Sequence, residues 1–369
     1  MVIRIRIIPT LCVIALLVLL YLAVKKVYKG QNKINQIGLF DRGNAMFPSV
    51  NSILVDTDNA VLYVSGVFDK VNQIECHNLA KYDIKSNTWQ IFEPSSFMQT
   101  KYNFLGTSKM VLDNKRNVLY ILDDLNVIAR FNTKTNKFMP NITPTLKYMY
   151  TFTIDIKHGV LYLSTSDSDE GIIAIERYDV NNEKWLNPIK YTTNDNHSVV
   201  YSSMSSNNDI LYIILPGNVL KMYNVITNSW LPDVILKQTT KMPIIVNDVV
   251  YLTIKNQLDQ YHILTKKWGP SINIIPEKDF VPNNDFRLTT DSQNIYLSST
   301  SGMFSYSIEK HTLEKINLPF DPSRPLLVPP RAIYDGVGYF VDDGIEYIFN
   351  NTYHYGNKNC TLLSYNLHN

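Results

Sequence analysis

Hydrophobic and polar residues alternate in short segments along most of the chain, and one segment type recurs. In six copies, an aromatic residue stands seven positions before a large apolar residue, with polar residues between them. The copies are Tyr82 with Trp89, Phe131 with Phe138, Tyr178 with Trp185, Tyr223 with Trp230, Tyr261 with Trp268, and Tyr306 with Leu313. Asp, Asn, Lys, Ser and Thr between two apolar positions are typical of a tight turn. The pattern therefore predicts a repeated β-hairpin.

Two further apolar segments precede each hairpin. The nearer segment carries its own tyrosine, and these are Tyr63, Tyr120, Tyr162, Tyr212, Tyr251 and Tyr296. The farther one is a short apolar run, such as residues 52–55, 110–112 and 243–246. Each unit then has four strands, and the units recur every 38 to 59 residues. Four-stranded sheets at this period predict an all-β chain folded as a β-propeller.

The repeat resembles the kelch repeat and the related central domain of galactose oxidase, over roughly residues 45–369. The residues that carry the resemblance are the tyrosine of the third strand and the tryptophan seven positions later, as in Tyr82 and Trp89. The double glycine that normally ends the second kelch strand is missing. The corresponding sites include Ser65-Gly66, Asp123-Asp124, Ser164-Thr165, Leu215-Pro216, Ser298-Ser299 and Asp342-Asp343.

The number of blades depends on both ends of the chain. A last unit has strands at residues 331–334, 337–341 and 361–365, but the sequence stops at Asn369 before a fourth. An uncovered third strand would leave unpaired backbone groups at a sheet edge. Residues 36–40 can supply the missing strand. We therefore expect seven blades over residues 36–369, and a six-bladed ring is the alternative.

The N-terminal segment predicts a membrane anchor. A basic tail at residues 1–6 precedes an uncharged run at residues 7–24, and a basic linker follows at 25–35. As a helix this run would cover about 27 Å, close to the thickness of the hydrocarbon core of a bilayer. A cleaved secretory signal is the alternative. Positive charges on the two sides are nearly balanced and lean slightly towards a cytosolic propeller.

Cysteines and glycosylation sequons bear on the compartment. Cys12 lies in the apolar run, and Cys76 and Cys360 occupy equivalent places in the first and last blades. We expect a disulfide between these two, the alternative being two unrelated buried thiols. A disulfide would place the propeller in an oxidising, extracytoplasmic space, with a cytosolic propeller as the alternative. Sequons occur at Asn141, Asn196, Asn350 and Asn359.

The sequence contains no recognisable catalytic, metal or cofactor motif. A phosphate-binding glycine loop, a metal-spaced His/Cys cluster and a serine nucleophile elbow are all missing from it. The paired acids Asp123-Asp124 and Asp342-Asp343 are poor acid/base couples, because adjacent strand residues point to opposite faces. A net charge of +2, spread along the chain, predicts no nucleic-acid binding.

Long loops give the functional prediction. Residues 67–77 and 342–359 should emerge from neighbouring blades on one face, and the second loop is rich in aromatic residues. We expect Tyr347, Phe349, Tyr353, His354 and Tyr355 to contact a protein or glycan. Alternatively, they only anchor the loop on the rim. The predicted function is that of a membrane-anchored binding protein. The alternatives are an extracytoplasmic carbohydrate-active enzyme with acids at the central tunnel, and a structural envelope or cell-surface protein.

Overall fold

Every regular element in the described part of the chain is a β-strand. The computed structural model describes residues 35–41, 48–76, 78–92, 109–122, 127–145, 148–167, 172–192, 203–207, 209–215, 219–237, 243–275, 286–299, 302–316, 332–334, 337–342, 345–349, 352–355 and 360–366. These strands form antiparallel sheets, which confirms the predicted all-β class.

The first strand of the chain, β1 (Asn35–Asp41), belongs to the last sheet. Sheet 1 contains β2 (Ser49–Asp56), β3 (Val61–Val67), β6 (Leu79–Asp83) and β7 (Thr88–Ile91), and a hairpin of β4 (Lys70–Val71) and β5 (Ile74–Glu75) lies between β3 and β6 in the chain. Sheet 2 contains β8 (Lys109–Asp113), β9 (Val118–Leu122), β10 (Ile128–Asn132) and β11 (Lys137–Ile142). Sheet 3 contains β12 (Tyr148–Asp155), β13 (Val160–Asp167), β14 (Ile172–Asp179) and β15 (Lys184–Thr192).

In the next sheets the outermost strand is split. Sheet 4 contains β16 (Ser203–Asn207), β17 (Ile210–Leu215), β18 (Val219–Asn224), β19 (Ser229–Trp230) and β20 (Val234–Ile235). Sheet 5 contains β21 (Ile244–Val246), β22 (Val249–Ile254), β23 (Gln257–His262), β24 (Lys267–Trp268) and β25 (Ile272–Asn273). Pro232 and Pro270 lie in the two splits. Proline cannot donate to a ladder, so these exposed edges are poor templates for further strands.

The remaining sheets come from the C-terminal part and from β1. Sheet 6 contains β26 (Arg287–Thr290), β27 (Asn294–Ser299), β28 (Gly302–Ser307) and β29 (Thr312–Ile316). Sheet 7 contains β30 (Ala332–Tyr334), β31 (Val337–Asp342), β34 (Cys360–Asn366) and β1, extended by β4 and β5. Strands β32 (Ile345–Phe349) and β33 (Thr352–Tyr355) form a separate two-stranded sheet.

The recurring sequence pair has a direct structural meaning. In all six copies the aromatic residue of the third strand lies opposite the apolar residue of the fourth, as Tyr82 does with Trp89. The ring centroids of Tyr82 and Trp89 are 5.1 Å apart. Each hairpin turns through four residues, and the fourth has a positive φ: Asn87, Asn136, Glu183, Asn228, Lys266 and His311. Asparagine tolerates this left-handed conformation better than most residues, which explains its frequency there.

Side chains at the start of the turns satisfy the turn backbone. The carboxylate of Asp83 accepts a hydrogen bond from the Ser86 amide at 2.9 Å, and that of Asp179 accepts one from Asn182 at 3.1 Å. The Ser86 amide lowers the pKa of Asp83, and the Asn182 side chain lowers that of Asp179. Asp and Asn recur at this position because their oxygen can close the turn locally.

Buried tyrosines join each sheet to the next. The tyrosine of the second strand packs towards the following sheet, where it shares a cluster with the third-strand aromatic residue. Tyr120 meets Tyr178 in this way, and Tyr251 meets Tyr306 with ring centroids 6.4 Å apart. Six such clusters connect the sheets in the order 7, 1, 2, 3, 4, 5, 6. The repeat period of the sequence is therefore the period of the interface between sheets.

Strand β1 completes the last sheet by pairing with β34, as predicted for residues 36–40. Its other edge pairs with β4, and the Asn72 amide donates to the Leu39 carbonyl at 2.9 Å. Trp89 donates its indole N–H to the Ile37 carbonyl at 2.6 Å. A Cβ at Gly38 would lie 2.6 Å from the Trp89 ring, so glycine is needed for this close approach. Strand β1 is thus held between sheets 7 and 1.

Small buried residues stand where kelch repeats have glycines. Ser65, Ser164, Thr165, Ser298 and Ser299 are all buried at these sites. At Gly66 a Cβ would meet the Ser49 carbonyl oxygen at 2.0 Å. Close approach of the backbone to a neighbouring strand therefore requires glycine at position 66, while small hydroxylated side chains occupy the five other positions.

The predicted disulfide is absent from the structure. Cys76 and Cys360 are both buried in the cluster between sheets 7 and 1, but no bond joins them. Cys360 begins β34, whereas Cys76 follows β5 and donates its amide N–H to the Asp69 carbonyl at 2.9 Å. Strands β1, β4 and β5 follow β34 across this sheet, and Cys76 comes directly after β5. The two buried thiols therefore share one cluster without a bond between them.

Cys76 should react with iodoacetamide only after unfolding. Burial raises the pKa of its thiol from 9.0 to about 12, so the reactive thiolate is scarce at pH 8. The folded state binds this proton more tightly, so the thiol's contribution to stability is complete below pH 9.0 and falls as the pH rises towards 12. The mass of the intact protein after alkylation, with and without denaturant, shows whether Cys76 has reacted. Without reductant, a mass lower by two hydrogen atoms would reveal a disulfide and contradict the structure.

Candidate functional site

The sheets present two opposite faces. One face carries the turns between the first and second strands and between the third and fourth strands, and we call it the turn face. The opposite face carries the connections between the second and third strands, and we call it the loop face. Turns of neighbouring sheets bond to each other, which places them on the same face. Asn114 of sheet 2 donates to Asp58 of sheet 1 at 3.1 Å. Lys157 of sheet 3 lies 2.6 Å from Asp209 of sheet 4.

The turn face is rigidly built. Within each of sheets 1 to 6, an amide of the second turn donates to a carbonyl of the first turn, for example Ile84 to Ala60 at 3.0 Å and Ile263 to Asp248 at 3.0 Å. Because both turns are tied in this way, the side chains of the second turn stand at equivalent places in successive sheets. The turn face can therefore act as a fixed display surface.

Polar side chains also bridge neighbouring sheets near this face. Each bridge begins at the residue before the third-strand aromatic and reaches the next sheet. Lys81 donates to Asn136 at 2.6 Å, Arg130 pairs with Glu183 at 2.6 Å, and Arg177 donates to Asn228 at 3.2 Å. Gln260 donates to the Tyr306 hydroxyl at 3.2 Å. At the junction of sheets 4 and 5 the equivalent residue is Met222, which packs in the apolar cluster instead.

The third residue after each third-strand aromatic is exposed and differs between sheets. In chain order these residues are Lys85, Lys134, Asn181, Ile226, Leu264 and Glu309. Leu264 is 79 % exposed and Ile226 is 59 % exposed, on neighbouring sheets. Sequence reasoning missed this apolar pair. The signal was available, since the repeat alignment shows that only two of six copies are apolar there.

The first long loop has a structural role. Residues 67–77 were expected to contribute to a partner-binding face. Instead their hairpin, β4 with β5, pairs with β1, and Phe68 packs against Phe40 with ring centroids 4.7 Å apart. This loop thus stabilises the end strand of sheet 7.

The second long loop forms the separate β32–β33 hairpin on the loop face. It contains all five predicted contact residues, Tyr347, Phe349, Tyr353, His354 and Tyr355. The register pairs Tyr347 with His354, Ile348 with Tyr353, and Phe349 with Thr352. The backbone register thereby places Tyr347 opposite His354, two of the five predicted residues.

Acids on the described innermost strands serve the turns. These strands, β2, β8, β12, β16, β21, β26 and β30, carry carboxylates only at Asp56, Asp113 and Asp155. Each accepts a hydrogen bond from the amide of its own turn: Asn59 at 3.0 Å, Arg116 at 3.1 Å and His158 at 3.0 Å. The other residues of these strands are mostly hydroxylated or apolar.

Two buried acids hold the connections between sheets. Glu176 of sheet 3 accepts hydrogen bonds from Thr145, which lies in the connection from sheet 2. Asp259 of sheet 5 pairs at 2.5 Å with Lys237, which lies in the connection from sheet 4. In the described ranges no three His, Cys, Asp or Glu side chains are grouped as a metal site requires. Both acids therefore have a structural explanation.

Of the predicted glycosylation sites and the predicted anchor, only one asparagine lies in the described residues. Asn141 is exposed in β11, whereas Asn196, Asn350 and Asn359 lie outside the described residues. The predicted anchor at residues 7–24 also lies outside them. Within the ranges that the structure describes, no helix has the length and hydrophobicity needed to cross a membrane.

Comparison with known proteins supports the fold. Residues 31–199 match the family model of the Rax2 C-terminal beta propeller domain. The match spans β1 and sheets 1 to 3, which is less than half of the chain. No curated protein matches the chain. The match does not distinguish kelch or galactose-oxidase repeats from other propellers. Together with the repeated four-stranded sheets, it shows that the chain is a β-propeller similar to the Rax2 C-terminal domain.

Proposed function

We propose that this chain is a membrane-anchored, seven-bladed, kelch-like propeller that binds a protein or glycan partner. Sheets 1 to 7 are the blades, and β1 completes the seventh. Two observations support this count: sheets 7 and 1 to 6 pack in sequence, and innermost strands β30, β2, β8, β12 and β16 are successive neighbours. Residues 7–24 supply the anchor.

The β32–β33 hairpin is the observation that carries the binding role. It belongs to no blade ladder, since β31 pairs directly with β34 beneath it. Its residues therefore add little to the sheet that supports them. A rigid scaffold with an aromatic-rich extension is the arrangement expected of a recognition site, because aromatic side chains bury much area at low entropic cost.

We place the propeller in an extracytoplasmic space. Without the disulfide, the support comes from the Asn141 sequon, whose asparagine is exposed on the outermost strand of sheet 2. A cytosolic propeller would leave Asn141 without a glycan in membranes from a secretory host.

Replacing residues 345–358 with a short Gly-Ser linker should remove partner binding without unfolding the propeller. The full chain in lipid nanodiscs is tested on a glycan array and by photo-crosslinking to cell-surface proteins. We expect binding to fall about thirtyfold or more, because losing one hot-spot residue costs about 2 kcal/mol.

A crosslinker at Tyr353 and a control crosslinker at Glu75 of the β4–β5 hairpin separate the two loops of this face. Partner adducts should form from position 353 and not from position 75. Equal binding by the chain that lacks the hairpin, with an unchanged unfolding midpoint, would refute the proposed site.

A further inference from the structure

The direction of β1 determines which face lies next to the predicted anchor. Residue Asn35 lies opposite Ser364, near the end of β34, whereas Phe40 lies opposite Cys360 at its beginning. Strand β34 is a third strand, so it runs from the loop face to the turn face, and β1 runs back. The chain therefore enters β1 at the turn face.

Contacts between β1 and sheet 1 also place the beginning of β1 at the turn face. The Ile37 carbonyl accepts the indole N–H of Trp89, which lies two residues after a turn of the turn face. At the other end of β1, Asp41 pairs with Lys70 in the hairpin between second and third strands. Between Val24 and Asn35 there are ten residues, which span at most about 35 Å when extended. An anchor at residues 7–24 would thus hold the turn face towards the membrane.

The chemistry of the turn face fits a phospholipid surface. Its exposed lysines are Lys85, Lys115, Lys134, Lys137, Lys157, Lys184, Lys266, Lys267 and Lys310. Its exposed acids are Asp58, Glu183 and Glu309. Glu183 is paired with Arg130 and Lys157 with Asp209, which leaves eight other exposed lysines and the exposed acids Asp58 and Glu309, so the exposed side chains of this face are mainly positive. Basic residues near a membrane surface are attracted by anionic headgroups.

Exposed apolar side chains stand among these lysines. Ile226 and Leu264 occupy the same turn position on neighbouring sheets, with Lys266 and Lys267 close in sequence. Apolar side chains flanked by lysines are the combination that inserts into a headgroup layer. The fixed turn geometry presents both residues at the same level.

We propose that the turn face docks on the leaflet that faces the propeller, with Ile226 and Leu264 in the headgroup layer and the lysines on the anionic lipids of that leaflet. This inference rests on the membrane anchor of the proposed function and not on the partner site. It leaves the β32–β33 hairpin on the loop face, pointing away from the bilayer and towards a partner.

Fluorophores at matched positions test the docking. The full chain, with Cys12 replaced by serine, is reconstituted in phosphatidylcholine vesicles with and without phosphatidylserine, together with nitroxide-bearing lipids. Single labels are placed by Ile226→Cys, by Leu264→Cys and by Ile235→Cys. Ile235 is a matched control, because it is also exposed but lies opposite Val219, at the loop-face end of sheet 4. We expect quenching at 226 and 264 in the anionic vesicles and none at 235.

Charge reversal supplies the second comparison. Lys134→Glu and Lys266→Glu should each lower the docking equilibrium about 25-fold, because a reversal changes the charge by two and each unit of charge at an anionic surface is worth about fivefold. Lys190→Glu is the control, since Lys190 is exposed near the loop-face end of sheet 3, opposite Ala174. It should leave quenching unchanged.

Three outcomes would overturn the docking. Equal quenching at positions 226 and 235 would contradict the orientation. No quenching at 226 or 264, in protein that floats with the vesicles, would refute docking while the anchor stands. Protein that does not float with the vesicles would refute the anchor, and with it the docking.

Discussion

Replacing Phe40 with alanine should lower the free energy of unfolding by about 3 to 5 kcal/mol, the usual cost of truncating a buried phenylalanine. Phe40 is fully buried. Its ring centroid lies 4.7 Å from that of Phe68 and 5.6 Å from that of Trp89. This side chain joins β1 to sheet 1, so its loss leaves a cavity at the strand that completes sheet 7.

Urea unfolding of the full chain in detergent, followed by tryptophan fluorescence, measures this change. Gln36→Ala is the control on the same strand, because Gln36 is exposed and such substitutions usually stay within about 0.5 kcal/mol. Hydrogen exchange at β34 should increase in the Phe40 variant, since β1 covers that edge. A loss of stability equal to that of the Gln36 control would show that β1 does not hold the fold together.

Replacing Asp113 with alanine should cost about 3 kcal/mol, the lower end for breaking a buried ion pair. Asp113 is fully buried and lies 2.7 Å from an Arg116 nitrogen. It also accepts the Arg116 amide N–H. Arg116 in turn donates to Asn181 at 2.9 Å and to the Ile156 carbonyl at 3.3 Å, both in sheet 3. Loss of the carboxylate therefore disorders a link between sheets 2 and 3.

Asp58→Ala is the matched control for this substitution. Asp58 occupies the corresponding turn of sheet 1 but is exposed, and its carboxylate accepts a hydrogen bond from the Asn114 side chain. Its replacement should change stability by about 0.5 kcal/mol or less. Similar losses of stability in both variants would mean that the buried pair of Asp113 and Arg116 stabilises the protein no more than an exposed turn residue does.

Some features were predictable because residues close together in the sequence determine them. The turn oxygen of Asp83, the left-handed position of Asn87 and the pair of Tyr82 and Trp89 fall within one short stretch of chain. Turn chemistry and period-two alternation act over that distance, so six hairpins could be located from sequence. Pairing of residues 36–40 with the last sheet followed from the cost of an open edge.

Other features required the packed sheets. Cys76 and Cys360 looked equivalent along the chain, yet they share one cluster without a bond between them. The loop at residues 67–77 looked available for a partner, yet its hairpin pairs with β1. Strand β1 comes from the far end of the sequence, and its insertion changes the neighbours of both segments.

The candidate site also combines features that the sequence showed with features that only the structure showed. The aromatic composition of residues 347–355 was visible in the sequence, whereas the register that pairs Tyr347 with His354 was not. Ile226, Leu264 and the lysines of the turn face come from turns spread over most of the chain. Sequence alone determined the repeated strands, turns and interface tyrosines, because their causes are local. The tertiary structure decided which distant turns share a face and at which face β1 begins, because pairing between remote strands sets both.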